Sequence, residues 1–109
     1  MDISRILINI KNMIKTLGFV EKTINNRVNF VMGNTYCIPQ YVEDIGFLVE
    51  YAASEDEALK NWHEDSDAFP VDMGEKAILG GIFFDLLSNV PELQYVQISA
   101  STLPLATNA

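Results

Sequence analysis

The chain has 109 residues, 49% of them hydrophobic and 20% charged, with 15 acidic side chains against 7 basic ones and a formal net charge of -8. That length and apolar fraction describe one folded domain, expected over residues 1–100 with 101–109 as a loose tail, large enough to need no staples. The acidity excludes direct binding to nucleic acid and an electrostatic membrane anchor, and a lone cysteine, Cys37, excludes an internal disulfide framework and fits a reducing compartment.

Lys11 and Lys15 interrupt the apolar N-terminal stretch, so it does not read as a signal peptide. The longest uncharged apolar run, Ala77–Phe84, falls far short of the ~20 residues a bilayer span requires. The expected location is therefore the cytoplasm. Along 3–17, Ile3, Ile6, Leu7, Ile10, Met13, Ile14 and Leu17 recur at three- and four-residue steps, which predicts an amphipathic helix ended by Gly18. Residues 19–24 and 27–32 read as strands joined by Asn25-Asn26, since asparagine tolerates the positive φ of a tight hairpin. Gly33-Asn34 marks a second turn. Tyr36–Gln40 reads as a short third strand, and because Pro39 has no N–H for a ladder it is expected either at an edge or to be short. Ile45, Phe47, Val49 and Tyr51 alternate with Gly46, Leu48 and Glu50, giving a fourth strand.

Ser54 and Glu57 form a capping box that starts a helix over about 55–62. Residues 63–72 lack periodicity and contain Pro70, which reads as a loop. Asp72 with Glu75 offers another helix start. Residues 73–88 are apolar nearly all round and read as a buried helix, with a strand over 77–84 as the competing assignment. Gly80-Gly81 in its middle costs about 1 kcal/mol per glycine relative to alanine, for which a close approach to the sheet is the expected return. Leu93, Tyr95, Val96 and Ile98 suggest a last strand. Strands in a run followed by helices imply an α+β fold: an N-terminal helix, a mostly antiparallel four- to five-stranded sheet, and two further helices packed on it.

The charge is uneven. Residues 1–40 sum to +3 and residues 41–109 to -11, and within 43–75 there are 11 acids and one base, Lys60. Such a block is either a solvated face that maintains solubility or a docking face for a basic partner. Chemistry of other kinds finds little support. Cys37 and His63 are the only residues of their types, and nothing in the sequence brings them together with a third orienting group. His63-Glu64-Asp65-Ser66-Asp67 lacks the second histidine at i+4 that a zinc helix needs. A calcium loop starting at Asp65 would place Phe69, Pro70 and Lys76 where an oxygen ligand, glycine and glutamate belong. Gly80-Gly81 lacks the Lys-Ser/Thr of a phosphate-binding loop. No metal, cofactor or catalytic residue is expected. What stands out is Trp62–Pro70, an acidic run between two large aromatics directly after a capped helix. Trp62 and Phe69 either pin this loop to the core or anchor a partner, and a pinned loop is a preorganised one. The predicted partner-binding set is Glu55, Asp56, Glu57, Trp62, Glu64, Asp65, Asp67, Phe69 and Asp72.

Gly46-Phe47-Leu48-Val49-Glu50-Tyr51-Ala52, the helix at 54–61 and Glu64-Asp65-Ser66-Asp67-Ala68-Phe69-Pro70 together resemble small bacterial immunity proteins of polymorphic or contact-dependent toxin systems. The resemblance covers roughly residues 44–88 and rests on structural motifs. It implies a non-enzymatic, cytoplasmic inhibitor that binds one cognate toxin domain. A nuclease toxin would offer a basic groove, which an acidic face complements. An acidic mimic of nucleic acid, encoded by a phage or mobile element, is the alternative, and a small hydrolase a third.

Overall fold

The N-terminal stripe forms helix α1 (Ile3–Thr16) in the computed structural model, which describes residues 2–94. The Asp2 carboxylate accepts from the Arg5 amide at 3.0 Å, satisfying a first-turn N–H that no helical carbonyl can reach. Ile6, Ile10 and Ile14 are buried along one face, as their spacing predicts.

Five strands follow in sequence order and pair antiparallel with their neighbours: β1 (Val20–Ile24), β2 (Arg27–Met32), β3 (Thr35–Val42), β4 (Gly46–Ala52) and β5 (Glu64–Asp65). Asn25 and Asn26 turn the first hairpin at φ +54° and +63°, the conformation both residues were expected to supply. The third strand differs from its expected place. It is longer than Tyr36–Gln40 and central, not at an edge. Pro39 is tolerated because the β2 register ends at Phe30↔Cys37, so that Pro39 is paired with β4 alone, opposite Val49. Ile45 lies in the turn before β4 rather than in it, and is exposed.

The sheet carries helices on both faces. On one, Phe30, Cys37, Phe47 and Val49 meet Ile6, Ile10 and Ile14 of α1 and Ile78, Ile82 and Leu86 of α3 (Glu75–Asn89). On the other, Ile24, Tyr36 and Ala52 meet Ala58 of the short helix α2 (Glu55–Leu59). The capping box forms: the Glu57 amide donates to Ser54 Oγ at 3.1 Å, and the Glu57 carboxylate accepts from the Ala53 amide at 2.9 Å, one residue before the Ser54 amide that such a box ordinarily uses. Helix α2 then ends at Leu59, short of residue 62.

The expected loop over 63–72 is partly strand. Glu64 and Asp65 pair with Tyr51 and Glu50 on β4, the Ser66 amide donates to the Val49 carbonyl at 3.2 Å, and Phe47 and Phe69 exchange both backbone hydrogen bonds, at 2.9 and 2.7 Å. Asp72 does not start α3. It lies in the 3-10 turn Val71–Met73, and Gly74 precedes the helix with no side-chain cap. Residues 77–84 are helical, which settles the strand alternative. Helix α3 is not buried all round: Ala77, Gly80, Phe84 and Ser88 are exposed on its outer side. Gly81 does allow a close approach, but to the ring of Phe69 rather than to the sheet, since a Cβ there would lie 2.5 Å from Cε1 of that ring. Leu93 belongs to a helical turn over 91–94 and is buried, so it is not part of a strand. The rest of that expected strand and the tail at 101–109 lie outside the described residues. Among the described residues, no helix is long and apolar enough to cross a membrane.

Candidate functional site

Folding first spends the basic charge. Arg5 pairs with Glu75, Lys15 with Glu21, Lys22 with Glu55, Arg27 with Glu50 and Lys60 with Asp56. The positive N-terminal segment is thus laid against the acidic one through Arg5, Lys22 and Arg27. Most of these pairs are exposed and add little stability each. Their consequence is in the charge map. Five of the seven bases are matched, which leaves ten of the 15 acids without an ion pair among the described residues, against Lys11 and Lys76.

Those acids concentrate around two adjoining clefts. The first, of about 600 Å³, lies where β5, the start of β3 and the C-terminal end of α3 converge, and is lined by Glu57, Glu64, Asp65 and Glu92 with Thr35, Tyr51, Ser66 and Asn89. The second, of about 420 Å³, is lined by Asp67, Phe69, Gly81, Phe84, Asp85 and Ser88, and shares Ser66 and Asn89 with the first. No lysine or arginine lines either cleft, and none of their six carboxylates forms an ion pair among the described residues.

A hydrogen-bonded seam holds the two clefts in register. Asp85, 7% exposed, accepts from the Tyr51 hydroxyl at 2.6 Å and from Ser66 Oγ at 2.5 Å. Asn89 Nδ2 donates to the Asp85 carbonyl at 2.8 Å and to Ser66 Oγ at 3.3 Å. A buried acid needs such partners, and these tie α3 to β4 and to the acid-bearing segment. Burial and the bond to Asp85 push the Tyr51 hydroxyl well above the usual phenol range. Glu92 is fixed across the same cleft by the Asn34 amide at 3.0 Å and Thr35 Oγ1 at 2.8 Å. Burial works to raise its carboxyl, but the bonds from backbone N–H groups and the Thr35 hydroxyl outweigh it and hold the group below its ordinary value.

The predicted set divides accordingly. Glu57, Glu64, Asp65 and Asp67 are brought together. Glu55 and Asp56 sit on α2 and are engaged by Lys22 and Lys60. Trp62 is 62% exposed with the Lys60 ammonium 4.6 Å from its ring centroid, so it is not pinned to the core. Phe69 is pinned: it packs against the core and Gly81. Asp72 lies apart, in a third hollow with Tyr41, Asp44 and Ile45. Ser66, Asp85, Asn89, Glu92 and Phe84 are additions. A lone acid in an otherwise apolar helical run, as at Asp85, is the sequence signal that marks a buried, hydrogen-bonded carboxylate. Among the described residues no group of three or more His, Cys, Asp or Glu side chains is placed to hold a metal ion.

Cys37 and His63 are not brought together. Cys37 lies within the core under α1 and α3, where burial, then the charges of Glu92 and Asp85, push its thiol far above the usual range. His63 lies on the other face, its Nε2 2.8 Å from Oδ1 of buried Asn29. Burial, then nearby Arg27, lowers its pKa below 6.5, against opposing effects of Glu50 and Glu57. The unfolded chain therefore takes up this proton first as pH falls. Stability is expected to decline as pH drops from about 7 through 6.5 and to level off below the folded pKa. Urea midpoints across that range check this, and His63→Gln should flatten the decline.

No family model matches the chain, and the comparisons with curated proteins and with solved structures found no match.

Proposed function

We propose that the protein is an immunity-type inhibitor, which binds a basic bacterial toxin domain through the face formed by the two clefts and blocks it there. The observation that carries the reading is the placement of six carboxylates around adjoining concavities with no lining base. A field of one sign focused in clefts attracts an oppositely charged partner over distance and fixes its register on arrival. The hydrogen-bonded seam through Asp85 favours tight binding, because a face that is already ordered loses little entropy on docking. The class of partner comes from the resemblance of Gly46–Ala52 and of 64–70 to immunity proteins. A nuclease domain, whose substrate groove must be basic, is the toxin whose surface this face complements best.

The test is co-expression with candidate toxin domains, taken first from genes that adjoin the one for this protein. The inhibitor is expected to restore growth and to co-purify with the toxin as a complex of nanomolar or tighter Kd, order -12 kcal/mol. Growth arrest that persists with both proteins present and soluble contradicts the reading.

A further inference from the structure

The outer side of α3 adds an apolar element to the acidic face. Phe84 is 69% exposed, the largest value among the exposed large hydrophobics of the described residues. Along the same side of the helix Ala77, Gly80 and Ser88 are too short to screen it, and Leu87, three residues on, packs against the core. Phe83 meets it edge-on, with ring centroids 6.1 Å apart. The same ring lines the second cleft together with Asp67, Phe69, Gly81 and Asp85. Asp85 already accepts from Tyr51 and Ser66 on its two oxygens, while Asp67 is exposed and has no ionic partner among the described residues.

We propose that this second cleft receives an arginine side chain of the partner, its guanidinium stacked on Phe84 and paired with Asp67. The proposal deepens the inhibitor reading and rests on it for the partner's identity. Charge complementarity selects a cation, and the exposed ring selects among cations. A guanidinium is planar and weakly hydrated, so it covers an aromatic face while its N–H groups fork onto a carboxylate. A lysine ammonium is compact and strongly hydrated and gains less from the ring.

The probe is a blocked Gly-Arg-Gly tripeptide titrated into the 15N-labelled full chain, with Gly-Lys-Gly and Gly-citrulline-Gly for comparison. The arginine peptide is expected to shift amides in 66–69 and 80–89 saturably, with an affinity at least about threefold above the lysine peptide and no saturation by citrulline. Phe84→Ala, which removes an exposed ring and leaves the core intact, should weaken arginine binding by roughly tenfold, and Asp67→Asn should weaken it independently. Shifts confined to Asn34, Thr35 and Glu64, or an affinity unchanged in Phe84→Ala, overturn the proposal. If Phe84→Ala still neutralises the toxin with unaltered affinity, arginine docking here is wrong and the inhibitor reading stands. If arginine docks as described on a protein that neutralises no toxin, the inhibitor reading is wrong and the cleft assignment stands.

Discussion

Gly46→Ala is expected to destabilise the protein by roughly 3 kcal/mol or more and to loosen the acid-bearing segment before the rest of the fold. Gly46 sits at φ +128°, and a Cβ there would lie 2.7 Å from the Phe69 carbonyl carbon. The conformation costs an L-residue about 1–3 kcal/mol. The clash is with backbone, so no side-chain rotation relieves it. Segment 66–70 must move off β4, and with it go the two Phe47–Phe69 hydrogen bonds, each worth about 1 kcal/mol net. At about 4–8 °C per kcal/mol for a chain near this size, the thermal midpoint should fall by more than 10 °C. Hydrogen exchange at the Phe47 and Phe69 amides should accelerate further than exchange along α1. A midpoint within a few degrees of the parent would mean that the segment carrying Glu64, Asp65 and Asp67 is not fixed by this contact.

The second large effect is on association. Glu64→Lys, Asp65→Lys and Asp67→Lys together change the net charge from -8 to -2 and set three bases against the three acids that remain around the two clefts, Glu57, Asp85 and Glu92, which cancels the negative potential there. All three side chains are exposed and without ionic partners in the described residues, so the fold should persist. The association rate with the toxin domain is expected to fall by roughly 100-fold or more at low ionic strength, the range that electrostatic steering spans. The deficit should shrink as salt shortens the Debye length from about 10 Å at 0.1 M to about 3 Å at 1 M. Stopped-flow association across a salt series reads both.

Much of this architecture is legible in the sequence wherever a local rule decides the outcome. The isoleucine stripe gives α1 because burial selects a single face. Asn25-Asn26 gives its hairpin because two consecutive positive φ values are needed and both residues tolerate them. Ser54 and Glu57 give the start of α2 because their reach is fixed by helix geometry. What is not legible depends on distant partners. Glu64 and Asp65 have poor strand propensity and become β5 only because the edge of β4 is open beside them. Pro39 reads as the mark of an edge or a short strand because the sequence does not reveal that β2 stops pairing two residues earlier. The acidic block shows that unmatched acids are available, not where they gather. Lys22 and Lys60 match Glu55 and Asp56 on α2, and Glu92 arrives from 28 residues beyond Glu64. The candidate site thereby shifts from the loop 62–72 as a whole to the clefts around Ser66 and Asn89. Phe84 is missed because an all-apolar helix hides which of its sides faces out.

The location of the binding face is tested most directly by comparing two charge-reversed variants against the same toxin domain at low salt. One carries Glu64→Lys, Asp65→Lys and Asp67→Lys; the other carries Glu55→Lys and Asp56→Lys. Docking on the clefts predicts that the first associates at least tenfold more slowly than the second, and that the second stays within about threefold of the parent. Equal losses in both variants, or a larger loss in the α2 variant, would contradict it and return the interface to the helix and Trp62.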